Sequence, residues 1–190
     1  VICHGYYNTE YISSMSRAEE GDFIDSCIER FKILTGRRFR GWFSPNMSYT
    51  HNTIPLLASK DIDYFCDWPL DDQPVRIQTD TNSIVAMPYQ YDVNDGLFFN
   101  RRYRFADAEA FAQTVIDYFD QVYHEGGEQG RVMCVGLHPY ILGQPHNIPS
   151  LRKAFEYILG HSGVWNATGS EILDAWAGDD SAIAQEQEAR

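Results

Sequence analysis

Two histidines stand where a proton could change hands. His4 directly follows Val1-Ile2-Cys3 and precedes Gly5, and His138 follows Val135-Gly136-Leu137 and precedes Pro139. A free imidazole titrates at about 6.5, so it can shuttle a proton near neutral pH. Glu10 and the run Asp67, Asp71 and Asp72 are the carboxylates that could partner or orient these rings. The plainer alternatives are a histidine that only caps a strand end and a solvated acidic loop. His51, His124, His146 and His161 read as surface or helix-end histidines. His138, His4 and Glu10 are therefore the candidate catalytic residues.

Other chemistries find no foothold. The chain has no G-x-S-x-G elbow, no P-loop, no G-x-G-x-x-G and no H-E-x-x-H. Metal ligation needs two or three converging donors. His4 is the chain's one candidate ligand, and its nearest counterpart, Asn8, is a poor one.

Both histidines belong to a wider pattern of polar, aromatic and proline-rich clusters that follow apolar runs. The run Gly41 to Phe43 leads into Ser44-Pro45-Asn46, and Asp63 to Cys66 leads into Asp67-Trp68-Pro69-Leu70-Asp71-Asp72. Ser83 to Met87 leads into Pro88-Tyr89-Gln90-Tyr91-Asp92. In a (β/α) barrel such carboxyl ends share one face, where active sites are built. Tyr6, Trp42, Ser44, Pro45, Asp67, Trp68, Asp71, Asp72, Tyr89, Asp92 and Pro139 are the candidate substrate-binding residues, at a mouth shared by His4 and His138.

The elements that must position these residues alternate short apolar runs with amphipathic stretches, the signature of βα units. Strands are expected at Val1 to Cys3, Gly41 to Phe43, Asp63 to Cys66, Ser83 to Met87, Arg131 to Leu137 and Val164 to Ala167. Ser16-Arg17-Ala18-Glu19 is a capping box that opens a helix closed by Gly36. Further helices are expected over Thr50 to Lys60, from Asp107 to Gly126, from Pro149 to Gly160, and from a second capping box at Thr168 through Trp176. Residues 1–177 read as one domain and 178–190 as a polar tail.

With 190 residues and 44% hydrophobic content the chain can bury a core of its own. A net charge of −12 disfavours nucleic acid and anionic membrane surfaces. No apolar run approaches the roughly 20 residues of a membrane span. The first residues carry neither the basic nor the apolar region of a signal peptide. Four scattered cysteines without a CxxC pair read as free thiols, which points to the cytoplasm.

The segments His4-Gly5-Tyr6, Gly41-Trp42-Phe43-Ser44-Pro45-Asn46, Asp67-Trp68-Pro69-Leu70-Asp71-Asp72-Gln73-Pro74 and Gly136-Leu137-His138-Pro139-Tyr140-Ile141-Leu142-Gly143-Gln144-Pro145 occur in the order expected of the polysaccharide deacetylase superfamily. The sequence most resembles its branch of cofactor-independent allantoinases and cyclic imide hydrolases, and Gly163-Val164-Trp165 with Ala175-Trp176 fits that branch. The resemblance implies an α/β fold, a distorted (β/α) barrel of seven or eight strands, of which this chain would supply the C-terminal portion, about six strands.

The implied activity is hydrolysis of a carbon–nitrogen bond that is not a peptide bond, in a cyclic ureide, imide or related small amide. By position, His4 matches the histidine that binds metal in the deacetylases or orients the substrate carbonyl in the metal-free branch. His138 matches the late proton-transferring histidine. Three departures stand out: Asn8 replaces a second metal histidine, Asn147 replaces a common arginine, and the family's aspartates lie upstream of the first histidine. No cofactor is expected, or a divalent metal such as zinc if the chain is instead a metal-dependent N-acetyl-sugar deacetylase. The expected partners are a small-molecule substrate, further copies of the chain in a homo-oligomer, and a complementary N-terminal polypeptide of roughly 80–120 residues, as a separate chain or a cleaved precursor segment. In that last case the chain is a subunit that completes a site with another polypeptide.

Overall fold

Five strands form one sheet in the order β1-β2-β3-β5-β4. They are β1 (Ile2–Cys3), β2 (Gly41–Trp42), β3 (Tyr64–Phe65), β4 (Val75–Gln78) and β5 (Ser83–Ala86). The computed structural model describes residues 1–99, 107–127 and 129–188, with side chains as far as 178. Strands β1, β2, β3 and β5 run parallel, and β4 lies antiparallel to β5.

Helices join β1 to β2 and β2 to β3, whereas β4 lies between β3 and β5 in the chain. α1 (Arg17–Thr35) starts on the expected capping box: the Glu19 amide donates to Ser16 Oγ, and the Ser16 amide donates to the Glu19 carboxylate. Gly36 ends it in the left-handed conformation at φ 70°. α2 (Thr53–Ser59) is shorter than its expected span. The remaining helices are α3 (Asp95–Phe98), α4 (Ala108–Glu125), α5 (Ile148–Leu159) and α6 (Gly169–Glu188). α6 continues past Trp176 into the stretch read as a polar tail, and residues 189–190 lie outside the described ones.

Two strand expectations are corrected. Residues 131–137 form no strand ladder among the described residues, only an isolated bridge between Gly136 and Asn94. Their neighbour is instead the Gln90 side chain, whose amide donates to the Val132 carbonyl (2.8 Å) and accepts from the Cys134 N–H (2.7 Å). Residues 164–167 are also not a strand. Conversely, β4 was not expected. Its Val-Arg-Ile-Gln alternation is the period-two pattern of a strand covered on one face, and its burial alternates accordingly.

The contacts divide the chain into two compact units, the first comprising residues 1–70, 74–87 and 167–190 and the second residues 71–73 and 88–166. In the first, Phe23, Ile24, Trp42, Ile54, Leu57, Phe65 and Ile84 share one buried cluster. Each large side chain so buried contributes about 1.5–3 kcal/mol. Glu20, fully buried on α1, accepts from the Thr50 and Thr53 hydroxyls and so ties α1 to the start of α2. The Tyr64 ring lies against the α-carbons of Gly41 and Gly169, where a β-carbon would come within 2.3 Å and 2.8 Å of it. Arg40 binds both carboxylate oxygens of Asp174, at 2.8 and 3.0 Å, and anchors α6 to this unit. In the second unit, Val93, Phe111, Val115, Phe119, Leu142 and Ile158 pack α4 against α5.

None of the four cysteines is in a disulfide. Among the described residues, no helix is long and apolar enough to cross a membrane.

Candidate functional site

Within the first unit, His4 leaves the end of β1 with its ring stacked on Phe43 at 4.9 Å between centroids. Its Nδ1 lies 2.7 Å from the Phe43 carbonyl oxygen and its Nε2 lies 3.1 Å from Oδ1 of Asn8. A backbone carbonyl can only accept, whereas a half-turn lets the Asn8 amide offer either its oxygen or its NH2. Phe43 therefore places a proton on Nδ1, and Asn8 can serve Nε2 in either protonation state.

Behind His4 stands a buried polar chain. The Trp42 indole N–H donates to Ser44 Oγ (3.0 Å), the Ser44 hydroxyl donates to Asp67 Oδ2 (2.9 Å), and the Ser44 amide donates to Asp67 Oδ1 (2.7 Å). All three residues are fully buried. Burial raises the Asp67 carboxyl to about 6, helped by the nearby Glu20 carboxylate and opposed by the two bonds from Ser44.

A carboxyl that titrates near 6 when folded and near its ordinary 3.8 when unfolded stabilises the fold below the lower value. That contribution is lost as the pH rises through 6. Between pH 4 and pH 7 the wild type should therefore lose up to about 3 kcal/mol of stability relative to Asp67→Asn. Urea unfolding of both proteins across this range measures the difference, and parallel stability curves would contradict it.

The other candidates of this unit sit apart from that chain. The Tyr6 hydroxyl donates to the Ser26 carbonyl at 2.7 Å, and Glu10 lines an open groove with Ser14, Glu19, Asp22 and Phe23. Pro45 is buried in the turn after β2, and Trp68 packs edge-on against Phe65. Neither Glu10 nor Asp67 hydrogen-bonds to a histidine.

Within the second unit, His138 has the carboxylate partner that sequence reading placed elsewhere. Asp95, at the first position of α3 and fully buried, accepts from His138 Nδ1 (2.5 Å) and from the His138 backbone N–H (2.9 Å). A carboxylate accepts only, so it holds the ring proton on Nδ1 and leaves Nε2 with its lone pair. The His138 side chain keeps 27% of its surface exposed. The Asp95 amide donates to the Gly136 carbonyl at 2.9 Å, so the loop carrying the acid and the loop carrying the histidine are tied by backbone as well. Gly96 makes room for the ring, since a β-carbon there would lie 2.8 Å from His138 Cε1. The signal for Asp95 was Asn94-Asp95-Gly96: Asn94 caps α3 through the Leu97 amide at 3.0 Å and turns the next carboxylate inward.

Tyr89 is buried and accepts from the Asn94 amide at 2.6 Å, so it supports the same turn. Asp92 is exposed, as is Pro139 next to His138. Burial, and then a hydrogen bond shared with Asp71, pushes the Asp72 carboxyl up, and the same bond draws the Asp71 carboxyl down. Asp72 also pairs with Arg131 at 3.1 Å. The carboxylate at His138 is thus Asp95, not Glu10 or the acidic run.

Among the described residues, no three His, Cys, Asp or Glu side chains gather as a metal site. His4 commits Nδ1 to a carbonyl, as metal-binding histidines commonly do, which leaves Nε2 as its ligating nitrogen, but the group facing Nε2 is the Asn8 amide, a poor zinc ligand.

No family model matches the chain. It is 32% identical over 118 residues to a Schizosaccharomyces pombe protein assigned as a polysaccharide deacetylase, a match covering 62% of this chain and 36% of that protein. Its fold superposes on the crystal structure of a Pseudomonas aeruginosa PAO1 protein assigned as a polysaccharide deacetylase, with TM-score 0.83 and 29% identity. It also superposes on the allantoinase PuuE, with TM-score 0.85 and 28% identity. Both superpositions cover 93% of this chain and 58% of the other. The chain thus spans about a third of the curated relative and somewhat over half of each solved structure. The mixed α/β sheet, matched at this level to both solved structures, and the sequence identity to the curated relative make the chain similar to the polysaccharide deacetylase superfamily in fold and in sequence.

Proposed function

We propose that the chain carries the proton-transfer apparatus of a hydrolase that opens a non-peptide carbon–nitrogen bond, in a cyclic ureide, imide or related small amide. The observation that carries this reading is the Asp95–His138 pair: a buried carboxylate, a ring held as the Nδ1–H tautomer, and a reactive Nε2 on a part-exposed side chain. With its lone pair outward, Nε2 takes a proton from water as the water attacks the carbonyl carbon. Asp95 stabilises the imidazolium so formed. The same proton then passes to the leaving nitrogen, the carbon–nitrogen bond breaks, and a carboxylic acid and an amine or amide remain. Likeness to an allantoinase supports the cyclic ureide class.

A metal-dependent N-acetyl-sugar deacetylase is the second reading, favoured by the deacetylase assignment of two relatives. The donor set around His4 weighs against it.

Incubating the protein with allantoin, cyclic imides and N-acetylglucosamine oligomers, with and without added zinc, separates the two. Ring opening without zinc, and less than a tenth of an equivalent of metal by elemental analysis after dialysis, is the expected outcome. Zinc-dependent release of acetate would replace the first reading with the second.

A further inference from the structure

The peptide group between Phe43 and Ser44 touches two functional groups at once. Its carbonyl oxygen accepts from His4 Nδ1 at 2.7 Å, and its N–H donates to Asp67 Oδ1 at 2.7 Å. One planar, conjugated amide therefore lies between a buried carboxyl and an imidazole. A carboxylate on the N–H side draws electron density onto the carbonyl oxygen and makes it a stronger acceptor, because hydrogen bonds in series polarise one another.

The surroundings remove slack from this arrangement. The Phe43 N–H donates to the Cys3 carbonyl of β1 at 2.9 Å, which holds the segment from the other side. Ser44 Oγ already accepts from the Trp42 indole, so its own proton is directed to Asp67 Oδ2. Glu20 of α1 is the other acid that acts on Asp67. Asp67 is itself fully buried, so water does not compete for its oxygens.

We infer that Asp67 is a positioning residue for His4: through the Phe43–Ser44 peptide it fixes the ring's orientation and holds its proton on Nδ1, leaving Nε2 available to Asn8 or to a ligand. The inference rests on reading His4 as a residue of the proposed hydrolytic site. Asp67 itself touches neither the ring nor any reacting atom.

Nitrogen-15 NMR of the imidazole rings, on the full chain with His4 assigned by the signal lost in His4→Gln, reads the tautomer directly. The wild type should show a protonated Nδ1 and a bare Nε2 at neutral pH. Asp67→Asn keeps an acceptor for the Ser44 amide but removes the charge and the acceptor for the Ser44 hydroxyl. It should move the tautomer ratio toward Nε2–H by about fivefold, the difference between a charge-assisted and a neutral hydrogen bond. Ser44→Ala leaves the peptide relay in place but removes a hydroxyl bond that favours the charged form of Asp67, and should give a smaller shift in the same direction. It serves as the readout if Asp67→Asn does not fold. A wild-type ring protonated on Nε2, or a folded variant with wild-type nitrogen shifts, overturns the inference. None of these shifts depends on turnover, so failure of the hydrolase reading appears separately, in the substrate assays.

Discussion

Asp95→Asn should lower turnover by about 10²–10⁴-fold, and His138→Ala by a similar factor, the usual range for a general acid–base group. Asparagine keeps one acceptor oxygen for the His138 backbone N–H, 2.9 Å from Asp95 in the wild type, but turns an NH2 toward Nδ1. Two N–H groups cannot face each other, so the ring shifts its proton to Nε2 and loses the lone pair that should accept from water. The loss should fall on kcat more than on KM, because the group acts on the transition state. Steady-state rates on whichever substrate the assays identify, at a temperature where circular dichroism shows a folded variant, test this. A folded Asp95→Asn protein with wild-type kcat would remove His138 as the proton carrier.

The largest effect on stability is expected at Gly41. A β-carbon there would sit 2.3 Å from Cζ and 2.4 Å from Cε2 of Tyr64, and the ring cannot retreat, since it already lies against Gly169. Overpacking of this kind costs about 1–3 kcal/mol, and a ring confined on both sides puts Gly41→Ala at the upper end. At about 3 kcal/mol the melting temperature of a chain this size drops by roughly 6–12 °C. Trimming the ring in the double variant Gly41→Ala, Tyr64→Leu should recover part of the loss, so the two changes should be strongly non-additive. Additive losses in thermal unfolding would show that the contact is not the cause.

How far these features could be read from the sequence depended on how local their causes are. Five of the six described helices were legible because their signals are short-range: Ser16 with Glu19, Gly36, and Asp107, whose carboxylate accepts from the Ala110 amide at 2.8 Å; α3, a single turn from Asp95 to Phe98, was passed over. Four of the five strands were legible as apolar runs between helices. β4 was passed over because half of its residues are polar, and 131–137 was read as a strand because nothing local reveals that a glutamine side chain stands in for a neighbouring strand. The same limit applied at the site. His4 and His138 were legible from their positions after apolar runs, but Asp95 and His138 meet across 43 positions of sequence. Trp42, Ser44 and Asp67 were legible as a group, although as buried partners of one another their place is behind the His4 carbonyl contact.

The Gln90 side chain has a consequence for motion. A strand inside a sheet is held by many backbone bonds that open together. In the run leading to His138 the Val132 N–H keeps its own bond to the Asp72 carbonyl, but the Val132 carbonyl and the Cys134 N–H both depend on one rotatable amide. A single rotamer change of Gln90 releases both bonds at once. Such a segment is a small cooperative opening unit, with a local free energy of unfolding well below that of the core around it. The histidine's lead-in can thus loosen and re-form while Asp95, fastened to the Gly136 carbonyl and to the His138 amide, keeps the His138 end in register.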